Sequence, residues 1–247
     1  MPQSWSILCR KVTSRFRQQG ALKAIRHYVA RAKRFVYQVV YDQWLDRLER
    51  TPTGNTYTVR EDEILGPVPP PAERLYQAFP RLPFLWSIEA LGIDPAAYSF
   101  VDYGSGRGRL ILTAGWLPFR RVIGVEFARS LHNDACENIA HYPKDKLACH
   151  DIESLNLNAI DFDLPDGNVV AFFYNPFTGI ILDRVAQRIE DACRASSRSV
   201  YLIFANSNRV SLFAGRPTFK RYRPNVARRV WLAAMSTDPI EFYAVSR

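Results

Sequence analysis

The sequence predicts an α/β sandwich: a seven-stranded, mostly parallel sheet flanked by helices, with an antiparallel strand pair at its C-terminal end. Three observations predict it. From Phe100 onward apolar runs end in a polar residue at a near-constant interval. "SFVD", "RVIGVE", "KLACHD" and "VVAFFYN" close on Asp102, Glu126, Asp151 and Asn175, spaced 24, 25 and 24 residues apart, and a fifth run, "SVYLIFAN", closes on Asn206. Between the runs lie helical patterns such as "RSLHNDACENIAHY", in which Leu131, Ala135, Ile139 and Tyr142 share a face. Strands alternating with helices at this interval make a parallel sheet covered on both faces. Finally, "RRVWLAA" and "IEFYAVS" are alternating segments only a few residues apart, the pattern of an antiparallel pair at a sheet edge.

Ahead of this domain, read as residues 72–247, stand two further segments. Residues 1–50 form a basic helical extension. In "ALKAIRHYVARAKRFVYQVVY" Leu22, Ile25, Val29, Ala32, Val36 and Val40 fall on one helical stripe, with Lys23, Arg31 and Lys33 around the remainder. The favoured reading packs that stripe on the domain; a helix lying on a membrane and an organelle-targeting segment are the alternatives. Residues 51–71, "TPTGNTYTVREDEILGPVPPP", hold the three consecutive prolines 69–71 and read as a connector or lid facing the substrate. A helix from Ala72 to Leu91 then leads into the sheet.

Composition excludes several classes. With 47% hydrophobic and 23% charged residues in 247, the chain is globular and long enough for one substantial core. No apolar run approaches the roughly 20 residues of a membrane span, and Arg10, Lys11, Arg15 and Arg17 break the pattern of a secretory signal. The four cysteines form no CxxC pair, so reduced thiols and a cytoplasmic location are expected. His132, Cys136, His141, Cys149 and His150 lack the close pairing of zinc ligands, and no metal is expected. The net charge of +9 is uneven: residues 1–41 hold nine bases and no acid, 42–191 hold 14 bases and 22 acids, and 192–237 hold nine bases and no acid. Such asymmetry points to an anionic partner or membrane surface, or to docking of the basic ends on the acidic middle.

In an open parallel sheet, ligands sit beyond the carboxyl ends of the strands. That rim carries the first strand-to-helix turn, "DYGSGRG", where Gly104, Gly106 and Gly108 let backbone approach a ligand. A triphosphate-binding loop needs GxxxxGK[ST], which is absent, and a dinucleotide fingerprint needs a glycine where Arg109 stands. The turn instead resembles motif I of the class I S-adenosylmethionine-dependent methyltransferases. "VIGVEFARSLHNDACENIA", with Ala135 and Asn138, "HDIESL" and "FFYNPF" resemble the second, third and fourth elements of that family in order. The likeness is closest to an uncharacterised bacterial methyltransferase group, and extends weakly to histone lysine methyltransferases of the class I fold.

The resemblance implies a class I methyltransferase sandwich with S-adenosylmethionine as cofactor and S-adenosylhomocysteine as product. Cofactor contacts would come from Asp102 (ammonium group), Gly104, Ser105, Gly106 and Gly108 (loop), Glu126 (ribose hydroxyls) and Phe127, and from Asp151 and Ile152 (adenine). Asn175, with Tyr174 and Phe177, would face the unidentified methyl acceptor, whether protein, RNA or small molecule, with a nitrogen nucleophile as one candidate type. "NPF" has one proline where the amino-methyltransferase motif has two. His150 is the one candidate base. A methyltransferase-like module holding nucleic acid through its basic ends and a nicotinamide oxidoreductase are the rival readings.

Overall fold

The computed structural model describes residues 21–54, 56–66, 75–175, 179–206 and 215–246. Helix α1 (Ala21–Arg34) continues through an i→i+5 bonded segment, Phe35–Asp42, into α2 (Gln43–Glu49). A short antiparallel ribbon follows, β1 (Tyr57–Thr58) with β2 (Leu75–Tyr76). Then come α3 (Arg81–Leu91), β3 (Tyr98–Tyr103), α4 (Arg109–Ala114), β4 (Val122–Glu126) and α5 (Arg129–His141). The chain continues through β5 (Ile152–Asn156), β6 (Asn168–Tyr174), α6 (Gly179–Ala195) and β7 (Val200–Ala205). It ends with β8 (Phe219–Tyr222), α7 (Val226–Met235) and β9 (Ile240–Val245).

Seven of these strands form one sheet in the order β5-β4-β3-β6-β7-β9-β8. Strands β3 to β7 run parallel, while β9 pairs antiparallel with β7 and β8 antiparallel with β9. Alternation along the central strands sends neighbours to opposite faces. Phe100 and Phe172 meet Phe84, Ile88 and Leu91 of α3 and Ile111 of α4 on one side. Val101 and Phe173 meet Leu182, Val185 and Ile189 of α6 on the other. All of these are buried, so the sheet sits between two apolar layers.

Four sequence expectations are corrected. "RRVWLAA" is not a strand but most of α7: the Asn225 side chain accepts the Arg228 N–H at 2.9 Å, a helix N-cap. The strand beside β9 is β8, four residues that alternation alone left unmarked. The expected helix from Ala72 begins only at Arg81; Leu75–Tyr76 is extended and Pro80 precedes the first turn. The run "KLACHD" is not a strand. The Ala148 and Cys149 N–H groups both donate to the Gly115 carbonyl, and the sheet is entered only at Ile152. As the outermost strand, β5 has every residue half-buried, which blunts its signature. Last, the predicted apolar stripe does not pack inward, since Val36 and Val40 are exposed.

Beneath that helix lies an ionic cluster. Asp42, Asp46 and Glu49 are buried and surround Arg81, whose guanidinium is 2.8 Å from Asp46, 3.7 Å from Asp42 and 3.8 Å from Glu49. Arg109 reaches Asp42 and Asp46 at 3.1 Å each and donates through Nε to Thr53 Oγ1 at 2.8 Å. Lys146 contacts Glu49 at 3.2 Å, which balances three acids with three bases. Acids at 42, 46 and 49 share one helical face. Among the described residues, no helix is long and apolar enough to cross a membrane.

Candidate functional site

The turn after β3 has the shape its glycines require. Gly104, Gly106 and Gly108 all have positive φ (+83°, +53°, +84°), where a side chain is strained. A Cβ on Gly106 would also lie 2.0 Å from the Tyr76 ring. The loop is tied to β4 by the Gly104 N–H donating to the Val125 carbonyl at 2.9 Å. Ser105, expected among the loop contacts, is buried: its Oγ lies 2.6 Å from where a Gly124 Cβ would stand, so β4 needs glycine there. That Oγ has no hydrogen-bond partner among the described residues.

Glu126 ends β4 beside the loop. Its two oxygens accept the N–H groups of Gly106 (2.8 Å) and Ala128 (2.9 Å). Burial outweighs those bonds and pushes its carboxyl up to about 7. Asp102, buried under the same loop, is pushed up to about 8 by desolvation and then by the neighbouring Glu126. Two acids therefore converge on a rim whose backbone is glycine. From below, Asn138 donates to the Arg107 carbonyl at 3.0 Å, and the Ala135 methyl would sit 3.3 Å from a Gly108 Cβ. The Ala…Asn spacing of "ACENIA" thus serves to seat the loop.

Two residues expected at the adenine lie away from Glu126. Asp151 and Ile152 lie at the start of β5, level with Val122, which begins β4. Asp151 is exposed with Arg121 at 3.6 Å, and Ile152 packs below α4 against Gly115. His150 precedes them at the same end, away from Glu126, so it is not beside the site. The residue level with Glu126 is Asn156, which donates to the Glu126 carbonyl at 2.9 Å. Two residues on, Asn158 caps a short turn and donates to the Leu65 carbonyl at 3.0 Å. The signal was present in "SLNLN": an apolar residue followed by asparagine, at 30 instead of 25 residues after Glu126.

Residues 57–66 and 75–79 cross this rim. Leu65 N–H donates to the Phe127 carbonyl at 3.1 Å, Ile64 bridges Ala128, and the Tyr76 hydroxyl donates to the Thr53 carbonyl at 2.8 Å. The Arg107 guanidinium lies 5.8 Å from the Tyr57 and Tyr76 ring centres and pairs with Asp134 at 2.9 Å. The prolines 69–71, central to the lid expectation, lie outside the described residues.

Beyond the next two strands the backbone is strained. Asn175 after β6 and Asn206 after β7 both have positive φ (+46° and +63°), and Asn206 Nδ2 donates to Asn175 Oδ1 at 3.0 Å. The Tyr174 ring lies 4.9 Å from that of Phe79, tilted by 55°, and its hydroxyl donates to Gln77 Oε1 at 3.4 Å; burial raises that hydroxyl to about 12. Phe177 lies outside the described residues. Sequence reading marked Asn206 only as a strand end, and missed Gln77. Among the described residues no cluster of three or more His, Cys, Asp or Glu could hold a metal.

No protein-family profile and no curated protein matches the sequence. Solved structures of similar shape exist. The Escherichia coli protein yhhF, a candidate methyltransferase, is 17% identical, over 68% of this chain and 87% of its own, with TM-score 0.49. A ribosomal protein L11 methylase from Lactobacillus delbrueckii subsp. bulgaricus is 19% identical over 67% and 76%, TM-score 0.40. An rRNA methylase from Streptococcus thermophilus is 11% identical over 66% and 94%, TM-score 0.41. Five parallel strands, a reversed β9 inserted between β7 and β8, and a glycine turn after β3 make this chain's architecture the class I methyltransferase fold.

Proposed function

We propose that the protein is an S-adenosylmethionine-dependent methyltransferase acting on a nitrogen nucleophile. One observation carries the reading: a buried carboxylate, Glu126, at the end of β4, held beside a turn whose three glycines all have positive φ. Two acceptor oxygens at that place suit a pair of vicinal hydroxyls. Asp102, deeper in the cleft, suits an ammonium group, and the Ser105 hydroxyl has an unused hydrogen bond to offer. Asn156, Asn158 and Phe127 take the adenine end in place of Asp151 and Ile152. The donor set therefore fits this cofactor.

When bound, the cofactor supplies an electrophilic methyl group on a sulfonium. The chain's residues orient the acceptor and exclude water. Asn175, at the far side of the rim, offers a side-chain oxygen to an incoming N–H, and Asn206 fixes its amide orientation. Tyr174, neutral at physiological pH, supplies a wall and a hydrogen-bond donor. Catalysis of this kind rests on positioning and desolvation.

Calorimetric titration with S-adenosylmethionine and S-adenosylhomocysteine tests the reading. Both should bind, and Glu126→Ala should weaken them by about tenfold or more, the size of one to two charge-assisted hydrogen bonds. A folded protein that binds neither refutes it. The acceptor side has its own test, with labelled methyl donor and cell extract. Asn175→Ala should lose label incorporation at unchanged cofactor affinity, and equal incorporation would remove Asn175 from the acceptor site.

A further inference from the structure

The helix that runs from α1 into α2 is turned inside out. Its acids face the protein, where Asp42, Asp46 and Glu49 are buried against Arg81 and Arg109. Much of its apolar surface faces solvent: Phe35, Val36, Val39, Val40, Trp44 and Leu48 are all exposed, with Phe35 at 59% and both Trp44 and Leu48 at 58%, while Tyr37 and Leu45 are buried. Val36, Val40, Trp44 and Leu48 recur every four residues, so they form one stripe along the helix. A contiguous exposed apolar patch marks an interaction site. A second exposed apolar pair, Val230 and Trp231, stands on α7, where Trp231 meets Trp86 (6.3 Å) and Trp86 meets the buried Tyr37 of the N-terminal helix (5.6 Å).

Charge decides among the occupants. The exposed bases Arg31, Arg47 and Arg50 stand on the same helix, Arg228 and Arg229 on α7, and residues 1–41 carry nine bases without an acid. A second copy would bring one strongly basic face against another. Nucleic acid would satisfy the bases but leave an aliphatic stripe uncovered. Only a partner both apolar and anionic satisfies the two features together, and the surface of an anionic bilayer is one. Apolar and aromatic side chains enter its headgroup boundary while Arg and Lys stay at phosphate depth. We propose that the protein docks peripherally on anionic membranes through this outward helix face.

The test is co-sedimentation of the full chain with vesicles of phosphatidylglycerol and phosphatidylcholine in equal parts, beside vesicles of phosphatidylcholine alone, at physiological salt. Binding is expected to the first and not the second. The double variant Val40→Asp, Trp44→Asp should bind the mixed vesicles about tenfold or more weakly, because each loses buried apolar area and adds a charge the bilayer repels. Both positions are exposed, and an unchanged melting temperature and S-adenosylmethionine affinity would show that fold and cofactor cleft are intact. Three results overturn the proposal: no binding to mixed vesicles, binding that the double variant leaves unchanged, or a wild-type dimer that the variant dissociates without any vesicle binding.

Discussion

Two buried acids, Asp102 and Glu126, sit with raised pKa values beside the glycine turn. Between pH 3.8 and about 8 Asp102 holds more protons folded than unfolded, so its contribution favours the fold at the low end and is lost as pH rises through that window. A bound ammonium reverses the preference by stabilising the carboxylate. S-Adenosylmethionine uptake near pH 7 should therefore release protons, read as a dependence of the calorimetric enthalpy on buffer ionisation, and affinity should rise from pH 6 to 8.5. Asp102→Asn should abolish most of that dependence, weaken cofactor binding and raise the melting temperature of the ligand-free protein at pH 8.5. A variant whose proton release matched the wild type would place the titration elsewhere. Gly106 is the other single-residue test. Alanine there meets both the positive φ, which disfavours a side chain by about 1–2 kcal/mol, and the Tyr76 ring. Gly106→Ala should lose stability by at least that amount in denaturant titration and bind cofactor poorly.

At the scale of elements, the ionic cluster under α2 joins the N-terminal helix to the glycine turn after β3. Arg109 is the residue after Gly108, and its guanidinium is held by Asp42, Asp46 and Thr53. The helix acids thus brace the first turn of α4. Removing one partner of a buried pair leaves an uncompensated charge and costs about 3–5 kcal/mol. Asp46→Ala should fall in that range by chemical denaturation. A loss under 1 kcal/mol would mean that Arg81 and Arg109 re-pair with Asp42 and Glu49. The same cluster accounts for the outward stripe: the face that carries Asp42, Asp46 and Glu49 is turned to the two buried arginines, which leaves Val36, Val40, Trp44 and Leu48 exposed.

Across the whole molecule, the parallel sheet puts Asp102, Glu126, Asn156, Asn175 and Asn206 on one rim, with residues 57–66 and 75–79 folded over the half beside the glycine turn. The catalytic reading is a property of that rim. The outward helix face is a property of the molecule's exterior, and the two proposals stand or fall separately.

The glycine turn, the strand-ending acids at 102 and 126 and the asparagine at 175 were legible because each is written locally. An apolar run, then a polar residue or a glycine, marks the end of a strand wherever that strand is central and buried on both faces. Strand β5 escaped because an edge strand buries neither face fully, so its register, which sets Asn156 and not Asp151 level with Glu126, was decided by pairing with β4 and by the Gly115 carbonyl. Alternation in "RRVWLAA" was equally compatible with a helix, and only the Asn225 cap and the pairing of β8 with β9 decided it. The sequence by itself determined the layered α/β architecture and the place of the glycine turn, through periodicity and backbone requirements. Tertiary structure alone decided which face of the basic helix turns inward, because that depends on Arg81 and Arg109, charges 39 and 67 residues from Asp42.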